Sequence, residues 1–277
     1  MRPGRCLFAP PPLTIKGSTM ELIKPYVPAR EYFVEISAVK RIRDGLDYTM
    51  NFGEPVQVVS DPGHGKTTAL YYLAKELGGV YCLAGQAHKT VPDMYRMLLA
   101  AFEIYHDCTY TRDLYNVLVR KLARTDWDRQ HNPRRLLIVD EIQTLEATAQ
   151  RELQNLQETC DLALIMSGNG SRLAKSKVDQ SAWKQVDERL GMKIQLPKLD
   201  RRDCDVIGAA YGVEGMDAYE AIGNFGMRTT ARHLGRLLRE AKMLTTGTGG
   251  IRLQHIKTVM KAKPDQADLR LLRPEAA

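Results

Sequence analysis

Two short runs hold the residue types that could handle a polyphosphate. The first is Ser60-Asp61-Pro62-Gly63-His64-Gly65-Lys66-Thr67-Thr68, which follows the apolar run Val56–Val59 and opens a helical pattern that continues through Ala74. Strand, glycine-rich turn and helix, in that order, are the setting a phosphate-binding loop requires. Gly63 and Gly65 let backbone N–H groups converge on phosphate oxygens with no Cβ in the way, and the helix N-terminus adds partial positive charge. Lys66 is placed to reach the β- and γ-phosphates of ATP, and the Thr67 hydroxyl to bind Mg2+. Asp61, Pro62, His64 and Thr68 complete the expected cradle. The strict pattern G-x-x-x-x-G-K-[ST] has glycine where this chain has Ser60; serine fits there if its φ stays negative. Taken alone, the loop also suits an ordinary glycine-rich turn followed by a lysine.

The second run is Arg134-Arg135-Leu136-Leu137-Ile138-Val139-Asp140-Glu141. Four apolar residues ending in adjacent carboxylates read as a strand buried on both faces of a parallel sheet. Ligands of open α/β sheets collect at that C-terminal end. Asp140 is expected to hold Mg2+, and Glu141 to polarise the water that attacks the γ-phosphate. The plainer alternative is that both acids cap the following helix.

The elements around these runs alternate. Strands are expected at Val56–Val59, Gly79–Leu83, Leu136–Val139, Leu162–Met166 and Met192–Leu196. Helices are expected around Ala38–Tyr48, Val91–Ile104, Thr111–Thr125 and Ala147–Thr159, with another ending near Arg189. Beyond Pro197 only helical patterns remain: Arg201–Tyr211, Met216–Ile222, Thr229–Thr245 and Leu253–Lys261. The expectation is a nucleotide-binding α/β domain over 21–196 and a small all-helical lid over 197–263. Residues 1–20 are proline-rich and the tail is 264–277; both are expected to be disordered, and Met20 is an alternative start.

At 277 residues the chain can bury a sizeable core, and its net charge of +7 favours a polyanion as partner. No basic amphipathic anchor or long apolar span is evident, which places nucleic acid ahead of membrane. Its five cysteines, Cys6, Cys82, Cys108, Cys160 and Cys204, form no C-x-x-C pair and read as reduced thiols of a cytoplasmic protein.

One strand separates the loop strand from the acidic strand in sequence, and a glutamate follows the aspartate. With the helical lid, these traits resemble the AAA+ (ASCE-type) branch of the P-loop NTPases over roughly residues 22–262. The resemblance implies a parallel sheet flanked by helices and Mg2+-dependent ATP hydrolysis. In Ile165-Met166-Ser167-Gly168-Asn169 it implies that Asn169 helps orient the attacking water, although Ser-Gly-Asn-Gly is also good turn chemistry. Arg189 matches the region that supplies an arginine finger to a neighbouring subunit; a helix C-cap is the bland alternative. Gly226-Met227-Arg228 resembles the start of a lid helix, with Arg228 sensing the nucleotide and Arg232 one turn further along the same face.

Within that branch the chain resembles the DNA-transposition regulators, the Mu B and Tn7-type target-selecting group. The likeness rests on the lead-in Tyr26–Tyr32, on Gly168-Asn169 and on Gly226-Met227-Arg228 before a long basic helix. It implies ATP-driven assembly as a filament or ring on double-stranded DNA, recruitment of a transposase, and largely sequence-independent, salt-sensitive binding. Lys89 and Thr90, with Arg151 behind them, are the candidate DNA contacts, although a lone lysine is more often a solvated surface residue. A helicase loader or replication initiator, and a nucleotide-gated signalling or defence switch for protein partners, stay open as alternatives.

Overall fold

The computed structural model describes residues 25–169, 177–245, 249–262 and 272. The expectations for 1–20, Cys6, Met20 and the 264–277 tail fall outside these residues, apart from Leu272.

Five parallel strands, β1 (Val56–Val59), β2 (Val80–Leu83), β3 (Leu136–Asp140), β4 (Ala163–Gly168) and β5 (Met192–Gln195), form one sheet in the order β2-β3-β4-β1-β5. All five occupy the stretches that the hydrophobic runs predict. After β1 the chain crosses to the far edge of the sheet, and β3 and β4 then step back towards β1. This reversal leaves a crevice beyond the C-terminal end of β1, where open α/β sheets hold ligands. Register brings the chemistry into line there, with Val59 opposite Gly168 and Leu83 opposite Asp140.

The strands alternate with helices: α1 (Ser37–Phe52), α2 (Lys66–Glu76), α3 (Val91–Ala101), α4 (Thr111–Leu122), α5 (Asp126–His131), α6 (Ala147–Cys160) and α7 (Lys177–Glu188). The side-chain period of two splits the sheet residues between two cores. Val56, Val58, Ile138 and Ile165 face α1 and α2, packing with Ile42, Leu46, Leu70 and Leu73. Leu137, Val139, Leu164 and Met166 face the other side, packing with Leu98, Leu118, Leu153 and Leu156 of α3, α4 and α6. Strands covered on both faces must be apolar throughout, which is why these runs barely alternate. The thiols of Cys82 and Cys204 are pushed up to about 12 by burial and stay protonated.

β4 begins before its neighbour β1, so Leu164 N–H has no strand partner on that side. Thr49 of α1, fully buried, accepts it through Oγ1 at 3.0 Å. Thr49→Val keeps the shape but strands that N–H, and is expected to cost about 1–3 kcal/mol in urea unfolding. No measurable loss would show that this bond contributes nothing to the helix–sheet seam.

After β5 come four helices: α8 (Arg201–Tyr211), α9 (Met216–Arg228), α10 (Ala231–Met243) and α11 (Leu253–Lys261). Cys204, Ile222, Leu234, Leu238 and Ile256 close their core, which runs continuously into the α1/α2 side of the sheet. Asp203 joins the two parts. Its Oδ1 accepts Ser37 N at 2.7 Å and Ser37 Oγ at 3.0 Å, a carboxylate placed at the N-terminus of α1 where the helix dipole favours it. Tyr32 stacks on Tyr211 with ring centroids 4.3 Å apart, so the lead-in segment is also pinned to α8.

Several elements differ from the expectation. α5 is additional, a short polar helix set by a capping box in which Thr125 and Asp128 satisfy each other's backbone N–H. α9 runs past the expected end at Ile222 to Arg228, and α10 starts at Ala231 rather than Thr229. Arg228 does not open a lid helix. It is the last residue of α9, and the break falls at Thr229-Thr230, where Thr230 accepts His233 N and starts α10. A threonine in extended conformation with its hydroxyl on the third following N–H is a helix start, and it outweighs the basic pattern spanning the break.

Candidate nucleotide site

The loop after β1 is built as a cradle. Gly63 and Gly65 have φ of 95° and 85°, left-handed values that favour glycine, and Gly65 is the residue from which α2 departs. Ser60, which replaces the usual glycine, is not among the positive-φ residues, so the substitution costs no strain. It is buried, and its N–H donates to Gly168 O at 3.3 Å, tying the loop to β4. Lys66 is 7 % exposed, and its side chain makes no hydrogen bond or ion pair with the described residues. Its ammonium is therefore left for an anion, and a phosphate in the cradle would supply one. His64 is buried, Thr67 and Thr68 are half-buried, and Asp61 and Pro62 lie exposed at the rim.

The acidic strand closes on this loop. Thr67 Oγ1 donates to Asp140 Oδ2 at 2.7 Å, joining residues 73 positions apart. Tyr81 of β2 donates to the same oxygen at 3.0 Å, and Glu141 N–H donates to Oδ1 at 2.9 Å. Asp140 has no exposed surface. Burial, followed by the neighbouring Asp140 carboxylate, pushes the Tyr81 phenol well above its usual range, so it remains a donor. Glu141 adopts φ 57° and ψ 38°, a left-handed conformation that costs a non-glycine residue on the order of 1–2 kcal/mol. The turn re-aims its carboxylate, whose Oε2 accepts Gln143 Nε2. Tyr81 and Gln143 escaped the sequence reading. Tyr81 looked like one more apolar strand position, and Gln143 carried only the weak signal of lying two residues past the acidic pair.

Thr67 and Asp140 present hard oxygen donors side by side, the donor chemistry that Mg2+ selects, with room left for phosphate and water oxygens. These residues therefore fit a magnesium–nucleotide complex.

The remaining candidates divide. Asn169 follows β4 directly, beside the loop through the Ser60–Gly168 bond. Arg228 lies at the C-terminal end of α9, whereas residues 230–232 touch the loop itself. Arg232 N–H donates to Gly63 O at 2.9 Å, and a Cβ on Gly63 would lie 2.8 Å from Thr230 Oγ1. The start of α10 is thus the part of the lid in contact with the cradle, and the exposed Arg232 guanidinium belongs to that turn. Arg189 lies outside the crevice of its own chain. It donates to Asn155 Oδ1 and pairs with Glu158 at 3.8 Å, both on α6.

The proposed DNA contacts share one rim at the C-terminal end of the sheet. Lys89 pairs with Glu146 at 3.7 Å and its carbonyl accepts Glu146 N–H at 3.0 Å, bringing the β2–α3 connection against the start of α6. Thr90 precedes α3 and bonds Asp93 at 2.5 Å. Arg151 lies in α6, 3.8 Å from Glu152 and 3.4 Å from Gln185. Neighbouring His88 is buried with Nδ1 accepting Gly85 N–H, and burial holds its pKa below the usual imidazole value. Each cation therefore has an acidic neighbour that a phosphate would have to displace.

Residues 55–175 match the family described as AAA domain, and residues 188–262 match the family described as Mu B transposition protein, C terminal. Among curated proteins, the Mu-like prophage FluMu DNA transposition protein B of Haemophilus influenzae is 24 % identical over 202 residues, covering 70 % of this chain and 68 % of that protein. Among solved structures, the Aeropyrum pernix ORC2 protein in its ADP form aligns with a TM-score of 0.54 at 15 % identity, over 91 % of this chain and 70 % of that one. The Aeropyrum pernix ORC1 protein in complex with DNA aligns with a TM-score of 0.59 at 14 % identity, over 84 % and 66 %. At such identities the structural likeness establishes the fold alone. The two sequence families, however, meet on this one chain in the order the architecture requires, cradle first and lid second. Residues 55–175 thus carry an AAA domain and residues 188–262 a domain like the C-terminal part of the Mu B transposition protein, a combination that resembles the AAA+ DNA-transposition regulators.

Proposed function

We propose that this protein is a Mg2+-dependent ATP hydrolase that assembles on double-stranded DNA as a filament or ring, recruits and activates a transposase, and so regulates target selection. The observation that carries the catalytic part is the 2.7 Å contact between Thr67 and Asp140 at the lip of a glycine cradle that also holds Lys66, whose side chain has no partner among the described residues. The DNA part is supported by the match of residues 188–262 to the Mu B C-terminal family and by the net charge of +7.

In this account the backbone N–H groups of Gly63 to Thr67 and the Lys66 ammonium hold the β- and γ-phosphates. Thr67 and Asp140 hold Mg2+, which when bound neutralises phosphate charge. Glu141 accepts a proton from the attacking water, and Asn169 fixes that water from the tip of the adjacent strand. Thr230 and Arg232 read the state of the cradle and pass it to the lid. Arg189 exchanges Asn155 and Glu158 for the γ-phosphate bound by a neighbouring subunit. Lys89, Thr90 and Arg151 trade their acidic neighbours for DNA phosphates, which makes binding fall steeply with salt.

Arg189→Ala is expected to retain ATP binding but to lose about 10³-fold or more in hydrolysis, the worth of an arginine supplied in trans. Subunits carrying it should regain turnover when mixed with Lys66→Ala subunits, which keep the arginine. Full turnover by the variant on its own would remove the finger role. Electron microscopy of the protein with duplex DNA and a slowly hydrolysed ATP analogue tests the assembly. Regular filaments or rings that require both nucleotide and DNA are expected. Unassembled particles under all conditions would overturn this part and favour a nucleotide-gated switch for protein partners.

A further inference from the structure

Glu141 is held by a residue that the scheme above does not use. Gln143 Nε2 donates to Glu141 Oε2, across a turn in which Glu141 itself is left-handed at φ 57°. The other end of the same amide packs against β4. Gln143 Oε1 is buried without a hydrogen-bond partner among the described residues, 2.6 Å from where a Cβ on Gly168 would stand. Gly168 ends β4 immediately before Asn169. The amide therefore spans from the acidic turn to the tip of the adjacent strand, lying in a notch that only a glycine leaves open.

A carboxylate that is to take a proton from water must keep one oxygen directed at that water. With Oε2 occupied by the amide, Oε1 is the oxygen left for this task, and rotation about the last side-chain torsion is blocked. A buried acceptor with no partner is also unfavourable for the fold, on the order of 1–3 kcal/mol. Gln143 thus occupies its position at a cost to stability, which suits a role in aligning the site better than a role in holding the fold together.

We propose that Gln143 is the positioning residue of the catalytic base, and that Gly168 is glycine to leave room for it. The inference rests on Glu141 being that base, as proposed above.

The test is steady-state ATP hydrolysis by the full chain with duplex DNA and Mg2+, comparing wild type, Gln143→Ala, Gln143→Glu and Glu141→Gln. Gln143→Glu keeps the volume but replaces the donor with a second carboxylate, so it guards against a packing artefact. Both Gln143 variants are expected to lose about 10- to 100-fold in kcat with KM and ATP affinity unchanged, the usual scale for an orienting partner. Gln143→Ala should add no further loss in the Glu141→Gln background, because the group it orients is already gone. Unchanged kcat in both Gln143 variants, alongside an inactive Glu141→Gln, would overturn the inference and leave the base intact. A loss that persists in the double variant would also overturn it, since the role would then be structural. An active Glu141→Gln enzyme would overturn the base assignment and this proposal together.

Discussion

Lys66→Ala is expected to weaken ATP binding by about 10- to 100-fold, measured by fluorescence anisotropy. Three features set this magnitude. The Lys66 residue is 7 % exposed, its ammonium has no partner among the described residues, and it stands at the N-terminus of α2 beside two left-handed glycines. A charge-assisted bond to phosphate in such a place contributes about 1.5–3 kcal/mol, and each 1.4 kcal/mol is about a factor of ten in affinity. Methionine at this position would preserve most of the stem volume and should bind as poorly as alanine. If either variant retained wild-type affinity, the loop would not be the phosphate site, and the lysine would be a packing residue.

Glu141→Gln is expected to separate binding from turnover. Glutamine can occupy the same left-handed turn and still meet Gln143, so ATP affinity should stay within a few-fold of wild type. Without a proton acceptor, hydrolysis should fall by about 10²- to 10⁴-fold, the usual contribution of a general base. Because hydrolysis is the proposed route to disassembly, complexes with DNA should persist after ATP addition rather than decay. Sedimentation with DNA over time, alongside phosphate release, distinguishes the outcomes. Rapid decay with undiminished phosphate release would remove Glu141 from the chemistry.

Much of this architecture was legible in the residues because its strongest signals are local. A strand buried on both faces has to be an apolar run, as β3 is up to Val139, whereas β5 at the sheet edge alternates as Met192-Lys193-Ile194-Gln195. The loop and the acidic pair were readable because phosphate and Mg2+ chemistry restricts the residue types to a short spacing. Signals that depend on register were not legible. Tyr81 meets Asp140 only because β2 lies beside β3 with Leu83 opposite Asp140, a pairing no single segment specifies. The helix boundary was hidden for a related reason. A basic pattern runs from Arg228 to Arg239, and only the Thr230 cap divides it, so that Arg228 ends α9 and Arg232 lies in the turn that meets Gly63. The partners of Lys89, Arg151 and Arg189 were equally hidden, since Glu146, Gln185 and Asn155 approach them through tertiary packing.

A single magnesium–ATP site, shared by the loop after β1 and the carboxylates at the end of β3, underlies every proposed step. Calorimetric titration of the full chain with ATP, in Mg2+ and then in excess chelator, addresses it most directly, with Asp140→Asn as the companion variant. The expected result is one site per chain, tighter with Mg2+ than without, with the Mg2+ dependence lost in Asp140→Asn. Binding that is indifferent to both Mg2+ and Asp140, or no binding by the wild-type chain, would contradict it.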